Sequence, residues 1–106
     1  MTVKIYLDKV NNAPEGWTKC FSSEEVIDLL TKSKVERVSM DYYLDDEEKS
    51  TSEELLNWIE NEVMFKNFNP PILRAHCEDR FKKRRLQFRI QQIKKIIKHR
   101  KETKHD

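Results

Sequence analysis

Three strand-like segments of this sequence each end on a residue that can take part in metal binding or acid–base chemistry. Two segments end on the carboxylates of Asp8 and Asp41, and the third ends on the imidazole of His76. The carboxyl ends of the strands form the ligand-binding edge of an open parallel sheet. We therefore expect these three side chains to meet in one crevice if the three segments belong to one such sheet.

The strands that must position these residues follow from the spacing of apolar side chains. Short apolar runs bounded by polar and turn-forming residues predict strands at 3–7, 18–21, 35–40 and 72–75. Helical patterns separate the last three of these segments and follow the last one. Strands that alternate with helices are typical of an α/β fold with a mainly parallel sheet.

The helices have recognisable starting points. Ser22 with Glu25, and Thr51 with Glu54, each match the Ser/Thr-x-x-Glu pattern of a capping box. Apolar residues at helical spacing follow both patterns. A third and longer helix is predicted at 80–101, because its isoleucines and leucine recur on one face.

Composition excludes several classes of protein. The chain has 106 residues, with 37% hydrophobic and 38% charged, which fits a single domain with a modest core. A single glycine, Gly16, excludes a Gly-rich phosphate-binding loop. The two cysteines, Cys20 and Cys77, suit a reducing compartment and form no metal-binding pair. No apolar run reaches the length of a membrane span, so we expect a cytoplasmic protein with no membrane partner.

Charge is distributed unevenly along the chain. Residues 1–79 hold 9 Lys/Arg against 17 Asp/Glu, whereas residues 80–106 hold 12 Lys/Arg against 2 Asp/Glu. The basic helix at 80–101 is therefore a candidate for binding a nucleic acid or an acidic protein. The alternative is an ordinary core helix with a solvated outer face, followed by a flexible tail at 102–106.

Several short motifs occur together in an order that resembles a known family. The chain resembles the cyclic-phosphate-processing receiver domain, a compact relative of response-regulator receivers, over nearly its whole length. The resemblance implies a small receiver-like (flavodoxin-like) three-layer sandwich, with about four mainly parallel strands in the order 2-1-3-4 and three main helices, in one domain at 1–101. The matching motifs are Leu7-Asp8, Pro14-Glu15-Gly16-Trp17, Ser39-Met40-Asp41, Leu56-Asn57-Trp58-Ile59-Glu60, Asn69-Pro70-Pro71-Ile72 and Arg74-Ala75-His76.

The resemblance also implies a function for the strand-end crevice. Its acidic pocket would bind a phosphate-bearing ligand, such as a nucleotide with a cyclic phosphate, and Mg²⁺ is the cofactor that such a pocket allows. Asp8 and Asp41 match the acids that would hold a metal. Asp41 would be either such a metal ligand or the acceptor of a phosphoryl group. His76 matches the histidine of the family and would act as the acid or base.

This chain departs from the family at positions next to these residues. Lys9 stands where the family usually has a second acid, and Tyr42 and Tyr43 replace a histidine and a further aspartate. Lys9 has two interpretations: it contacts the phosphate of a ligand, or it pairs with Asp8 or Asp41 and closes the site. Tyr42 either stacks on a ligand ring or packs as a partly buried side chain.

The remaining candidate residues lead to two hypotheses for function. In the first, the crevice binds and processes a phosphorylated small molecule or nucleotide, with Lys9, Arg74 and Arg80 contacting phosphate through charge-assisted hydrogen bonds. In the second, the domain has lost catalysis and binds a protein or nucleic-acid partner through its basic C-terminal helix. Cys77 lies next to the site, but no neighbour lowers its pKa, so we interpret it as unreactive. The sequence does not fix the oligomeric state.

Overall fold

The structure is a computed structural model that describes residues 2–103, with side chains described as far as residue 100. The last helix ends at residue 103, two residues beyond the predicted end at 101, and the residues 104–106 of the predicted tail at 102–106 lie outside the described part. The strands are β1 (Val3–Leu7), β2 (Thr18–Cys20), β3 (Val35–Met40) and β4 (Ile72–Ala75), and the helices are α1 (Ser23–Lys32), α2 (Glu53–Lys66) and α3 (Arg80–Thr103).

The four strands form one sheet in the order β2-β1-β3-β4, and every neighbouring pair is parallel. This confirms the predicted α/β receiver-like fold, its strand order and its three helices. The backbone N–H groups that follow the strands continue the ladders, since Asp41 donates to Leu7 and His76 donates to Met40. The ends of β1, β3 and β4 are therefore held side by side.

One face of the sheet is buried against the helices. Its strand residues pack with apolar side chains from all three helices in a single core cluster. Helix α2 lies between α1 and α3 and contacts both, so the three helices form one layer. The strand members of this cluster are Ile5, Leu7, Val38, Met40 and Leu73, and the helix members include Val26, Leu30, Leu55, Leu56, Ile59, Val63, Leu86, Ile90 and Ile93.

The opposite face of the sheet has no helix over it in the described part of the chain. The reason is the connection between β1 and β2, which is a loop at 8–17 rather than a helix. Right-handed crossovers place α1 and α2 on the same side of the sheet, and α3 packs beside α2. The described residues therefore form two layers, and the second helical layer of the expected three-layer sandwich is not among them.

The two predicted capping boxes have different outcomes. Ser22 is the N-cap of α1, where its hydroxyl accepts the Glu25 backbone N–H at 3.2 Å, and the Glu25 carboxylate accepts the N–H of Phe21. The second box is wrong, because the N-cap of α2 is Ser52, whose backbone is already helical and whose side chain makes no cap hydrogen bond. Thr51 instead accepts the N–H of Glu53 at 3.3 Å.

This difference predicts effects of different size for two serine substitutions. Ser22→Ala removes an N-cap hydrogen bond and should lower the free energy of unfolding by about 1 kcal/mol. Ser52→Ala is the matched control, because its buried hydroxyl has no hydrogen-bond partner in the described part of the chain and its loss should cost little. Urea unfolding of both variants measures this. Equal destabilisation by the two changes would contradict the assignment of the caps.

Three arginines of α3 make hydrogen bonds to other parts of the domain. Arg85 and Arg89 bond to the carboxylate of Glu53 on α2 at 2.6 and 3.3 Å. Arg100 donates to the carbonyl oxygens of Val63 and Phe68 near the end of α2. These three arginines thus tie α3 to α2 and to the residues that follow it. None of the helices in the described residues is both long and apolar enough to cross a bilayer.

Candidate functional site

A crevice of about 700 Å³ lies at the carboxyl ends of β1, β3 and β4. Asp41 and His76 line this crevice, as the sequence predicted from their places after two of the strands. Asp8 lies behind it, because its side chain is 0% exposed and reaches the crevice through His76. The other residues that line the crevice are Tyr6, Val10, Asn11, Tyr42, Tyr43, Glu48, Cys77, Glu78, Asp79 and Lys82.

The carboxylate of Asp8 is fully occupied by hydrogen bonds. Its Oδ1 accepts the backbone N–H groups of Val10 and Asn11 at 2.8 and 2.9 Å. Its Oδ2 accepts the side-chain amide of Asn11 at 3.0 Å and Nε2 of His76 at 2.8 Å. Asp8 therefore holds the loop after β1 and orients the imidazole, and it has no acceptor position left for a ligand.

The environment of Asp8 keeps it ionised. Burial alone raises the pKa of this carboxyl, but the hydrogen bonds from Asn11, His76 and Val10 outweigh burial and hold the pKa below its ordinary value. Because the carboxylate accepts, Nε2 of His76 must carry a proton. In the neutral imidazole, Nδ1 then accepts from a hydroxyl group.

That hydroxyl belongs to Ser39, whose Oγ lies 2.8 Å from Nδ1 of His76. The imidazole also stacks on the ring of Tyr6, with 4.1 Å between ring centroids and 4° between planes. Both ring nitrogens are therefore bonded to protein atoms, and the ring is fixed on one side. This geometry gives His76 a positioning role and leaves no ring nitrogen free to transfer a proton directly to a ligand in the crevice.

Asp41 is the carboxylate that the crevice exposes beside His76. Its Oδ1 accepts the backbone N–H of Tyr42 at 2.9 Å. Its Oδ2 has no hydrogen-bond partner among the described residues, in contrast to both oxygens of Asp8. Asp41 is thus available to a ligand or a water molecule.

The cation of the crevice is Lys82, which lies on the first turns of α3. Its Nζ lies 4.9 Å from the ring centroid of Tyr42 and 5.5 Å from that of Tyr43. These cation–π contacts hold the ammonium group over two aromatic faces at the edge of the crevice. Among the described residues, Lys82 is the one lysine or arginine that lines the crevice, whereas four acidic residues line it: Asp41, Glu48, Glu78 and Asp79.

The three cations that the sequence assigned to phosphate lie elsewhere. Lys9 pairs with Asp46 at 2.9 Å and not with Asp8 or Asp41, and it does not line the crevice. The physical reason is that Asn11 and His76 already occupy Asp8, while Asp46 lies on an exposed acidic loop. Arg74 faces away from the crevice on the uncovered side of the sheet, and Arg80 is exposed.

Tyr42 lines the crevice but is a packed side chain. It is 6% exposed, and its hydroxyl donates to the carboxylate of Glu53. Burial, together with that hydrogen bond and the charge of Glu53, raises the pKa of Tyr42 to about 12. Its ring is edge-on to Tyr43, which is more exposed. Tyr43 is therefore the better candidate for contact with a ligand ring.

The residues of the crevice do not fit the expected magnesium site. Mg²⁺ needs oxygen ligands in near-octahedral geometry, usually from one or two carboxylates. Of the two acids expected to hold the metal, Asp8 has both oxygens occupied by hydrogen bonds and Asp41 has one, which leaves a single free oxygen on Asp41. Among the described residues, no group of three or more metal-ligating side chains is present.

Cys77 lines the crevice without the surroundings of a reactive thiol. It is buried, and burial, together with the charges of Asp41 and Asp79, raises the pKa of its thiol. Cys20 is also buried, and burial raises its pKa to about 11. Both thiols therefore remain protonated at neutral pH, as we predicted for Cys77.

Sequence reasoning missed four residues that shape the crevice. Asn11 follows Asp8 by three positions, and a short polar side chain at this spacing is a turn signal that was available. Ser39 lies two positions before Asp41 on the same strand, within a motif that we used only for resemblance. Tyr6 and Lys82 carried no local signal, because their contacts join segments that are far apart in the sequence.

A comparison with known protein families finds a match over most of the chain. The sequence profile described as the cyclic-phosphate processing receiver domain matches residues 3–92, which covers β1 to β4 and the first half of α3. No curated protein and no solved structure matches the chain significantly. The family match includes every residue of the crevice.

Proposed function

Because the chain belongs to the cyclic-phosphate processing receiver domain family, we propose that its crevice binds a ligand with a cyclic phosphate and hydrolyses it. The observation that carries this proposal is the pairing, in one crevice, of an available carboxylate oxygen on Asp41 with the ammonium group of Lys82. The carboxylate is suited to act on water, and the ammonium is suited to bind the phosphate.

The charge of the crevice favours a cyclic phosphate over a terminal one. A cyclic phosphodiester carries a single negative charge, whereas a phosphomonoester carries about −1.5 to −2 at neutral pH. The four acidic residues around the crevice repel a doubly charged phosphate more strongly than a singly charged one. Lys82 alone offsets this repulsion among the residues that line the crevice. Repulsion also promotes release of the monoester that hydrolysis produces.

The proposed reaction uses the chain's own residues. Asp41 takes a proton from a water molecule, whose oxygen attacks phosphorus. One phosphorus–oxygen ester bond of the ring breaks, and the leaving oxygen receives the proton that Asp41 took up. Lys82 binds the phosphate oxygens, and the chain from Asp8 through His76 to Ser39 fixes the adjoining wall.

Removal of Lys82 tests the binding part of the proposal. We expect Lys82→Ala to weaken binding of 2′,3′-cyclic AMP or 3′,5′-cyclic AMP by about tenfold or more, because a hydrogen bond to a charged group is lost. Lys83→Ala is the matched control, since Lys83 is exposed and does not line the crevice. Isothermal titration calorimetry measures both, with AMP as the linear comparison. Tighter binding of AMP than of both cyclic nucleotides, or equal effects of the two variants, would contradict the proposal.

A further inference from the structure

The uncovered side of the sheet presents two rows of side chains, which we call the open face. The first row crosses all four strands, and the second crosses β1, β3 and β4 and continues to the residue before β2. The side chains of the face are partly or fully exposed except Ser39, which is buried beside His76. The rows are Lys19, Tyr6, Ser39 and Arg74, and then Trp17, Lys4, Arg37 and Ile72.

The open face is positive although the surrounding chain is acidic. It holds four lysines and arginines, which are four of the nine in residues 1–79, a segment that contains 17 acidic residues. Neither of the two rows contains an acidic residue. Glu36, near the start of β3, accepts a hydrogen bond from Nε of Arg37 at 3.2 Å. Even with that partner included, the open face remains cationic, in contrast to the acidic crevice.

Aromatic rings lie among these cations. Tyr6 and Trp17 meet edge to face, with 6.3 Å between ring centroids, and Nζ of Lys4 lies 6.0 Å from the centroid of Trp17. Trp17 also lines a shallow groove of about 150 Å³ together with Arg37 and Arg74. An exposed aromatic ring with cations close to it can stack on a base while the cations contact phosphates.

We propose that the open face binds single-stranded nucleic acid. Lys4, Arg37 and Arg74 contact backbone phosphates, and Trp17 stacks on a base. Tyr6 belongs to both the open face and the crevice, but Lys82 and Asp41 are not part of the face, so this proposal does not depend on the hydrolysis of a cyclic phosphate. It also differs from binding through α3, where several arginines are already engaged with α2.

Charge reversal on the open face tests the proposal directly. The full chain is titrated into 5′-labelled single-stranded 12-mers, one of uridine and one of thymidine, and binding is followed by fluorescence anisotropy at several salt concentrations. We expect the double variant Arg37→Glu with Arg74→Glu to weaken binding by at least about tenfold. We also expect it to reduce the salt slope by about one to one and a half, since two phosphate contacts are lost. Trp17→Ala should weaken binding by about tenfold with an unchanged salt slope.

The matched control lies on the basic helix. Lys95→Glu with Lys98→Glu reverses the same amount of charge at two exposed positions of α3 and should change the affinity for the 12-mers by no more than about twofold, through a general charge effect. The neutral pair Arg37→Gln with Arg74→Gln removes the same two positive charges without adding negative ones, in case the charge reversal disturbs folding. All variants should keep the circular dichroism spectrum of the unsubstituted protein.

Four results would overturn the proposal. One is that neither 12-mer binds at low salt. Another is that reversal at Arg37 and Arg74 weakens binding no more than reversal at Lys95 and Lys98 does, which would not assign the polyanion to the open face. The others are a double-stranded 12-mer that binds as tightly as the single strands, and an affinity that Trp17→Ala leaves unchanged, because both would exclude stacking on unpaired bases.

Discussion

Replacing Asp8 by alanine lowers the free energy of unfolding by about 3–5 kcal/mol, because a fully buried carboxylate is removed from four hydrogen-bond donors. The backbone N–H groups of Val10 and Asn11 and the Nε2 of His76 then lose their acceptor inside the protein. In a domain of this size, such a loss lowers Tm by at least about 12 °C. Urea unfolding and calorimetry measure these two quantities.

Asp8→Asn separates the shape of the side chain from its charge. The amide oxygen still accepts from Val10 and Asn11, and His76 can change tautomer so that Nε2 accepts from the new amide. We therefore expect a smaller loss than for alanine. A cost for Asp8→Ala below about 1 kcal/mol would show that these hydrogen bonds do not stabilise the fold.

The stability that Asp8 contributes depends on pH in a defined direction. Its pKa is lower in the folded protein than in the unfolded chain, so its contribution is complete above the unfolded value, which is about 4. The contribution is lost as the pH falls from there through the lower folded pKa. The difference in unfolding free energy between the unsubstituted protein and Asp8→Asn should therefore narrow below about pH 4.

Asp41→Asn has the largest expected effect on activity. Loss of the proposed base should reduce the rate of cyclic-phosphate hydrolysis by about 10²- to 10⁴-fold. Binding of the same cyclic nucleotide should be unchanged or tighter, because one negative charge near the phosphate is removed. The rate of hydrolysis and the dissociation constant of the cyclic nucleotide, measured on the same preparation, test whether the rate falls without a loss of affinity.

Glu48→Gln is the matched control for Asp41. Glu48 also lines the crevice, but its side chain is exposed and has no assigned role in the reaction. This variant should bind a cyclic nucleotide at least as tightly as the unsubstituted protein and retain its rate. Equal losses of rate in both variants would indicate that the charge of the crevice matters and that Asp41 has no specific chemical role.

The backbone framework was predictable from local patterns. Apolar runs and turn residues located four strands, and the alternation of strands and helices indicated a parallel sheet. The topology then brought Asp41 and His76 to one crevice, with Asp8 hydrogen-bonded behind them. These features depend on the periodicity of apolar residues and on the direction of the strands, and both can be inferred from a single sequence.

The contacts of long charged side chains were not predictable in the same way. Lys9 adjoins Asp8 in the sequence, yet it pairs with Asp46, because Asn11 and His76 occupy the carboxylate of Asp8 first. Arg74 precedes His76 by two positions but lies on the open face, where it contributes to a different surface. A long, flexible side chain can reach several partners, and the tertiary structure determines which of them it contacts.

The number of layers and the second helix cap were missed for a related reason. The resemblance implied helices on both sides of the sheet, but the loop at 8–17 is too irregular to supply one between β1 and β2. At α2, the helical backbone of Ser52 moved the N-cap one position beyond Thr51. Both differences arise in loops, where packing against the sheet outweighs short-range sequence patterns.

Phosphorus-31 NMR of the full chain with 2′,3′-cyclic AMP and with 3′,5′-cyclic AMP tests the central claim most directly. The account predicts that the cyclic signal of at least one nucleotide is replaced by a phosphomonoester signal. It also predicts that Asp41→Asn slows this conversion by about 10²- to 10⁴-fold while the variant still binds the nucleotide. Absence of both binding and conversion for the two nucleotides, or conversion at the same rate by Asp41→Asn, would contradict the account.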